Sequence, residues 1–247
     1  MAFVVCILIW NPGCIATGWI RAKTSENNIT KTYKKGNDPR IKKSRSMAPW
    51  GKGYTTYSWF GTAIGRQYGH HKVVQTLEDA LEIAGAKTDT TYVVAEIGWP
   101  NGRSLEGHAS HRNGMHVDIL TPVRDIKTKR SRRLPSNITN VWGYCWKIDK
   151  KSHEVVGKQW EVKTNRKLAK GPYCPTTKEN LGLEVDFQAM QDLIVHIQKE
   201  ARKNGLRLKR VILDKSFVSK IKVSNVQLVH NVWIRHDEHL HFQFQHR

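Results

Sequence analysis

The chain has 247 residues, enough for one large domain or two small ones whose core needs neither disulfide nor metal for stability alone. Its 41 Lys and Arg against 21 Asp and Glu leave a formal charge of +20 with twelve histidines uncounted, and nine tryptophans exclude a disordered chain. Such a surface seeks polyanions, yet net charge decides neither fold nor chemistry, so nucleic acid is only the default partner.

In chain order, residues 2–10 (AFVVCILIW) form an apolar run too short to span a bilayer as a helix. The run reads as an export signal, residues 1–16, with cleavage after Ala16, although no Lys or Arg precedes it; a buried N-terminal strand, or a start codon set too late to include the basic residues, is the alternative. Removal would take Cys6 and Cys14 and leave Cys145 and Cys174, which fit one disulfide or two buried thiols. Residues 17–46 are polar and basic and are expected to be a flexible, solvated arm ahead of a single domain at 47–247.

Val73, Val74, Leu77, Leu81 and Ala84 recur at three- and four-residue steps before Gly85, which predicts an amphipathic helix over 71–84. Residues 91–97 (TYVVAEI) read as a strand closed by the turn residues Gly98, Pro100, Asn101 and Gly102, and 115–120 as a second strand. From about 125 to 180 the chain is basic and irregular, an insertion with one hairpin near 141–162. Asp186 is a suitable N-cap for a helix carrying Phe187, Met190, Leu193, Ile194, Ile197 and Ala201, ended by Gly205. Strands follow at 206–214, 226–235 and 239–245. Helices and strands segregate without regular βαβ alternation, so the expected class is α+β, a mostly antiparallel sheet flanked by helices.

Seven of the twelve histidines occupy two short windows. His108, His111 and His116 lie in one, and His236, His239, His241 and His246 in the other. Residues two apart on a strand share a face, so His239 and His241 project together while Leu240, Phe242 and Phe244 face the core; His116 and Asp118 pair in the same way. His111 precedes its strand in a loop that Gly114 lets bend. Two imidazoles and one carboxylate from these segments can converge on one divalent ion and leave a position for water, the layout of a catalytic zinc site. Zinc suits imidazole-rich donors better than calcium or magnesium, which prefer all-oxygen shells. A lone His-x-His on a basic strand would carry little weight; two such clusters, each beside a glycine turn, carry more. Ser110 beside two histidines suggests a serine nucleophile, but that mechanism leaves Asp118, His239 and His241 without a joint purpose.

His111-x6-Asp118 followed far downstream by His239-x-His241 resembles the metal motif of the group that includes lysostaphin-type enzymes, D-Ala-D-Ala peptidases and murein endopeptidases. Within that group, Gly107-His108-Ala109-Ser110-His111 and Trp233-x2-His236-x2-His239-x-His241 resemble the penicillin-insensitive murein endopeptidase family, as do Gly69-His70, Gly98-x-Pro100 and Gly102-Arg103. The resemblance covers about 55–125 and 185–245, leaving the arm and the insertion outside. It implies a hedgehog/DD-peptidase-type α+β fold, zinc as cofactor, peptidoglycan as substrate and an exported, periplasmic location in a bacterium. By position it makes His111, Asp118 and His241 the zinc ligands, His239 the base, and His108 and His236 groups lining the site. His116 departs from the family, standing where an aspartate is expected; a partner behind a ligand, a competing ligand and a surface residue all remain open. Tyr57, Arg66, Trp99 and Arg103 are the candidate substrate-binding residues, with Trp59 a further groove candidate and core packing at least as good an account of Tyr57, Trp59, Arg66 and Trp99.

The implied reaction is metal-assisted hydrolysis of the D-alanyl to meso-diaminopimelate cross-link. A D-alanyl-D-alanine carboxypeptidase or dipeptidase, and a non-enzymatic zinc-binding module on the cell envelope, are the competing readings. The basic stretches hold no nucleic-acid motif, so the excess charge points to an anionic cell envelope, and no membrane span is expected in the mature chain.

Overall fold

A computed structural model describes residues 12–105, 110–134, 146–158, 161–164, 167–170, 181–230 and 236–247. In chain order, the elements that build the site begin with helix α1 (Pro12–Ser25) and the hairpin strands β1 (Lys31–Lys35) and β2 (Asp38–Lys42). Strands β3 (Trp50–Gly51) and β4 (Tyr54–Thr56), helices α2 (Trp59–Ile64) and α3 (His71–Thr88), and strands β5 (Tyr92–Glu96) and β6 (His116–Leu120) follow. Helix α4 (Phe187–Lys203) and strands β7 (Leu206–Ile212), β8 (Gln227–Val229) and β9 (His239–His246) complete the set.

Seven of these strands form one sheet in the order β8-β7-β9-β6-β5-β4-β3. Neighbours are antiparallel except β7 with β8 and β5 with β4, so the α+β class holds and the sheet is mixed, with antiparallel pairs in the majority. The buried stripe Val73, Val74, Leu77, Ala80, Leu81 and Ala84 of α3, and Ala189, Met190, Leu193, Ile194, Ile197 and Ala201 of α4, share one apolar core with Val117, Ile119, Leu240, Phe242 and Phe244 of the central strands. Helices α3 and α4 therefore cover one face of the sheet. Alternation sends His116, Asp118, His239 and His241 to the other.

Helix α4 starts as expected, with the Asp186 side chain accepting from the Ala189 N–H, and positive-φ Gly205 follows its end. Helix α3 departs from the sequence reading by running on through Gly85 to Thr88. Gly85 is no stop: a Cβ there would lie 2.7 Å from Gly53 Cα, so the glycine serves close approach of the helix to the turn between β3 and β4, and the left-handed cap is Asp89.

The stretch read as a solvated arm is docked. Helix α1 buries Cys14 and presses Gly18 against Pro49 and Thr62, Arg21 Nε donates to the Ala63 carbonyl at 2.7 Å, and Ser25 Oγ accepts from the Ser46 N–H at 2.9 Å. Ala16, the expected cleavage position, lies inside this helix. Periodicity could not reveal the β1–β2 hairpin, because all five residues of β1 are exposed and only Ile41 of β2 is fully buried.

Part of the basic insertion belongs to the core as well. Strands Trp146–Ile148 and Val155–Lys158 form the expected hairpin, a second pairs Glu161–Thr164 with Lys167–Lys170, and Trp146, Ile148 and Val155 are buried in the main apolar cluster. Cys145, Cys174 and residues 231–235 of the expected strand at 226–235 lie outside the described residues. No helix among the described residues is long and apolar enough to cross a membrane.

Candidate metal centre

Strands β6 and β9 are adjacent and antiparallel, with His241 opposite Asp118, Gln243 opposite His116 and His239 opposite Leu120. Directly opposed residues share a face, so this register alone brings the histidine strand to the carboxylate. His241 Nδ1 lies 2.7 Å from Asp118 Oδ1. His111 reaches the same carboxylate from the loop before β6, its Nε2 3.4 Å from Asp118 Oδ2. That loop is tightly specified. His111 itself adopts a left-handed φ of 70°, and its Nδ1 sits 2.8 Å from the Ile97 carbonyl. A carbonyl only accepts, so Nδ1 carries a proton, and Nε2 is the nitrogen left facing Asp118.

Gly114 closes the loop at φ 67°, where an added Cβ would lie 2.5 Å from the His70 backbone nitrogen; the His70 N–H in turn donates to the Gly114 carbonyl at 2.9 Å. From the other side, Arg112 Nη1 donates to Asp38 Oδ1 at 2.5 Å and Arg40 Nη1 to the Gly102 carbonyl at 2.8 Å. The β1–β2 hairpin thus clamps the loop that carries His111.

The ligand-type atoms of His111, Asp118 and His241 all lie within 4.8 Å of one another, and all three residues are buried. Two imidazole nitrogens and a carboxylate oxygen in a buried three-point set fit a zinc-type divalent ion and leave room in its tetrahedral shell for water. Burial alone would raise the Asp118 pKa, but the facing His111 and His241 outweigh it and hold the carboxyl well below its usual range. His116 Nδ1 is 3.0 Å from His241 Nε2. Burial, then the neighbouring His111 and His241, push His116 down to about 2.

Strict alternation would have put His236 on the far face from His239. A bend at Asp237 and Glu238 brings it round, with ring centroids 4.6 Å apart. The bend is pinned by Thr121, whose N–H donates to the Glu238 carbonyl and whose hydroxyl donates to the Asp237 carbonyl. The Ile148 N–H, from the insertion, donates to Asp237 Oδ2 at 3.0 Å. His108 lies outside the described residues.

The candidate substrate-binding residues divide. Arg103 is exposed and stacks on the half-buried Trp99 ring at 3.8 Å, with Arg66 on the same ring at 5.7 Å. Arg66 is buried in an ion pair with Glu96, and Tyr57 is buried; burial and then the Glu238 charge push its phenol pKa up. Glu96 escaped the sequence reading. A bulge sets Val94 opposite Ile119 but Glu96 opposite Asp118, turning the last residue of an apolar strand onto the site face. A carboxylate closing a hydrophobic run just before Gly98 was the available signal.

Residues 41–172 match the model of a family described as penicillin-insensitive murein endopeptidase. The chain belongs to that family. A penicillin-insensitive murein endopeptidase of Haemophilus influenzae is 36% identical over 77 residues, 31% of this chain and 26% of the relative, so the chain spans about a quarter of the length of that relative. The family match takes in His111 and Asp118 but stops short of His239 and His241. It also runs through residues 125–172, beyond the motifs that carry the resemblance, in agreement with the burial of Trp146, Ile148 and Val155.

Proposed function

We propose that this chain is an exported zinc-dependent murein D,D-endopeptidase that hydrolyses the D-alanyl to meso-diaminopimelate cross-link of peptidoglycan. The observation that carries the reading is the convergence of His111, Asp118 and His241 within 4.8 Å in a member of this family. These three residues would hold the ion. Bound zinc supplies an acidified water and polarises a carbonyl, so no nucleophilic side chain is required.

His239 shares the site face with His241 but is not part of the three-residue group, which suits it to take a proton from the attacking water and return it to the leaving amine. His236, its ring tilted against that of His239, would keep that imidazole oriented, and His108 would line the cleft. The exposed Arg103 on Trp99 offers a cation and an aromatic face to the stem peptide, whereas buried Tyr57 and the Arg66–Glu96 pair support the walls instead. Glu96, opposite Asp118, holds Arg66 beneath Trp99.

The test is digestion of purified murein by zinc-loaded protein with and without a chelator. Loss of cross-linked muropeptides that the chelator abolishes is expected. Release of free D-alanine from uncross-linked stems would instead make the chain a carboxypeptidase, and zinc binding with no hydrolysis would make it a binding module.

A further inference from the structure

His116 stands where the family resemblance leads one to expect a carboxylate, and it is half-buried and not a member of the three-point group. Its Nδ1 faces His241 Nε2 at 3.0 Å, while Nδ1 of the same His241 ring faces Asp118 at 2.7 Å. The His241 ring therefore stands between His116 and the carboxylate, and the atoms that lie within 4.8 Å of one another come from His111, Asp118 and His241. Once the His241 Nδ1 lone pair goes to an ion, its Nε2 must carry the proton and can only donate. The group that faces it must then accept.

We propose that His116 is a positioning residue whose Nδ1 accepts the Nε2–H of His241, holding that ligand's ring toward Asp118 with a looser grip on the metal than a carboxylate at that position would set. The inference rests on the proposed metal site and concerns its outer partner. Ligating histidines usually pass their second N–H to a carboxylate, carbonyl or water, and loss of that partner costs about 10–100-fold in metal affinity. A carboxylate makes a charge-assisted bond and raises the basicity of the ligand. It would also add a second negative charge near Asp118 that a bound cation relieves. An imidazole gives orientation without that charge.

The test uses the full chain and zinc, with affinity read by competition against a chromophoric chelator and the number of imidazoles on the bound ion read by X-ray absorption. His116→Ala should weaken zinc binding about tenfold or more, and His116→Asn, which keeps an acceptor oxygen at the Nδ1 position, should recover most of that loss. His116→Asp should tighten binding about tenfold. The imidazole count should stay at two throughout, and circular dichroism should show each variant folded. Unchanged affinity in His116→Ala, or weaker binding in a folded His116→Asp, overturns the proposal. So does a count of three in the wild type that falls to two in His116→Ala, since His116 would then be a ligand. Failure of the wild type to take up zinc overturns the metal reading itself and this inference with it, an outcome distinct from all those seen with zinc bound.

Discussion

Arg112, the residue after His111, donates to Asp38 on the N-terminal hairpin at 2.5 Å. The pair is partly exposed, and pairs of that kind contribute about 0–1 kcal/mol to global stability. Its larger role is local, because the Arg112 carbonyl packs on Gly102 and the loop holds His111 at φ 70°. Asp38→Ala should lower the melting temperature only slightly yet weaken zinc binding several-fold, as measured by thermal unfolding and chelator competition. Unchanged affinity would mean that the hairpin is not what holds the loop.

How much of this was legible beforehand depends on what each residue's signal reports. His239, His241, His116 and Asp118 announced their shared face because strand alternation is a local rule, and the register of β6 on β9 only had to bring the two faces together. The helices α3 and α4 were visible for the same reason. The clamp from Asp38 and Arg40 was not, since an exposed hairpin of charged residues reads as solvated chain until its tertiary partners are known. Glu96 was hidden by a bulge, a change of register that composition does not encode. Trp146 and Ile148 were hidden by their basic neighbours, which lowered the mean hydropathy of a segment that nonetheless buries both.

Gly114 offers a sharper test of loop geometry. Its φ of 67° disfavours any Cβ, and the Cβ would also sit 2.5 Å from the His70 nitrogen, which is backbone and cannot rotate away. Gly114→Ala should therefore destabilise the fold by more than about 1 kcal/mol and displace His111. A denaturant melt showing wild-type stability together with wild-type zinc affinity would contradict it.

His70 sets part of the acid limb of stability. Burial, then His71, His246 and Lys72, push its pKa down to about 3 from an ordinary 6.5. The unfolded chain thus takes up a proton near pH 6.5 that the folded chain refuses until about pH 3. Stability from neutral His70 is complete above pH 6.5 and is lost as the pH falls toward 3. The ring also caps α3, its Nδ1 accepting from the Lys72 N–H at 3.3 Å, a role that asparagine can fill. His70→Asn should accordingly show a shallower fall in melting temperature between pH 7 and pH 4. Parallel curves for wild type and variant would remove His70 from the account.

Separation of base from ligand is the central test of the proposed chemistry. His239→Ala should lower kcat on cross-linked muropeptides by about 10²–10⁴-fold while metal content per chain stays at the wild-type value. His241→Ala should lose both metal and activity, because it removes one of the three converging groups. Loss of zinc in His239→Ala would make that residue a ligand, and full activity in it would leave the proton transfer to another group, His236 first among them.

The excess of positive charge should act on binding rather than on turnover. Lys31, Lys34 and Lys35 lie on the wholly exposed strand β1, on an N-terminal hairpin whose other strand contacts the loop carrying His111. Screening shortens from about 10 Å at 0.1 M salt to about 3 Å at 1 M, so attraction to an anionic murein sacculus should fall steeply over that range. The kcat on small soluble muropeptides should change little, because the site itself is buried and screened far less. Sedimentation with purified sacculi, compared for wild type and a Lys34→Glu, Lys35→Glu double variant, measures the first quantity, and turnover of soluble substrate measures the second. If salt depresses kcat as strongly as binding, the charge belongs to the catalytic step and not to capture of the wall.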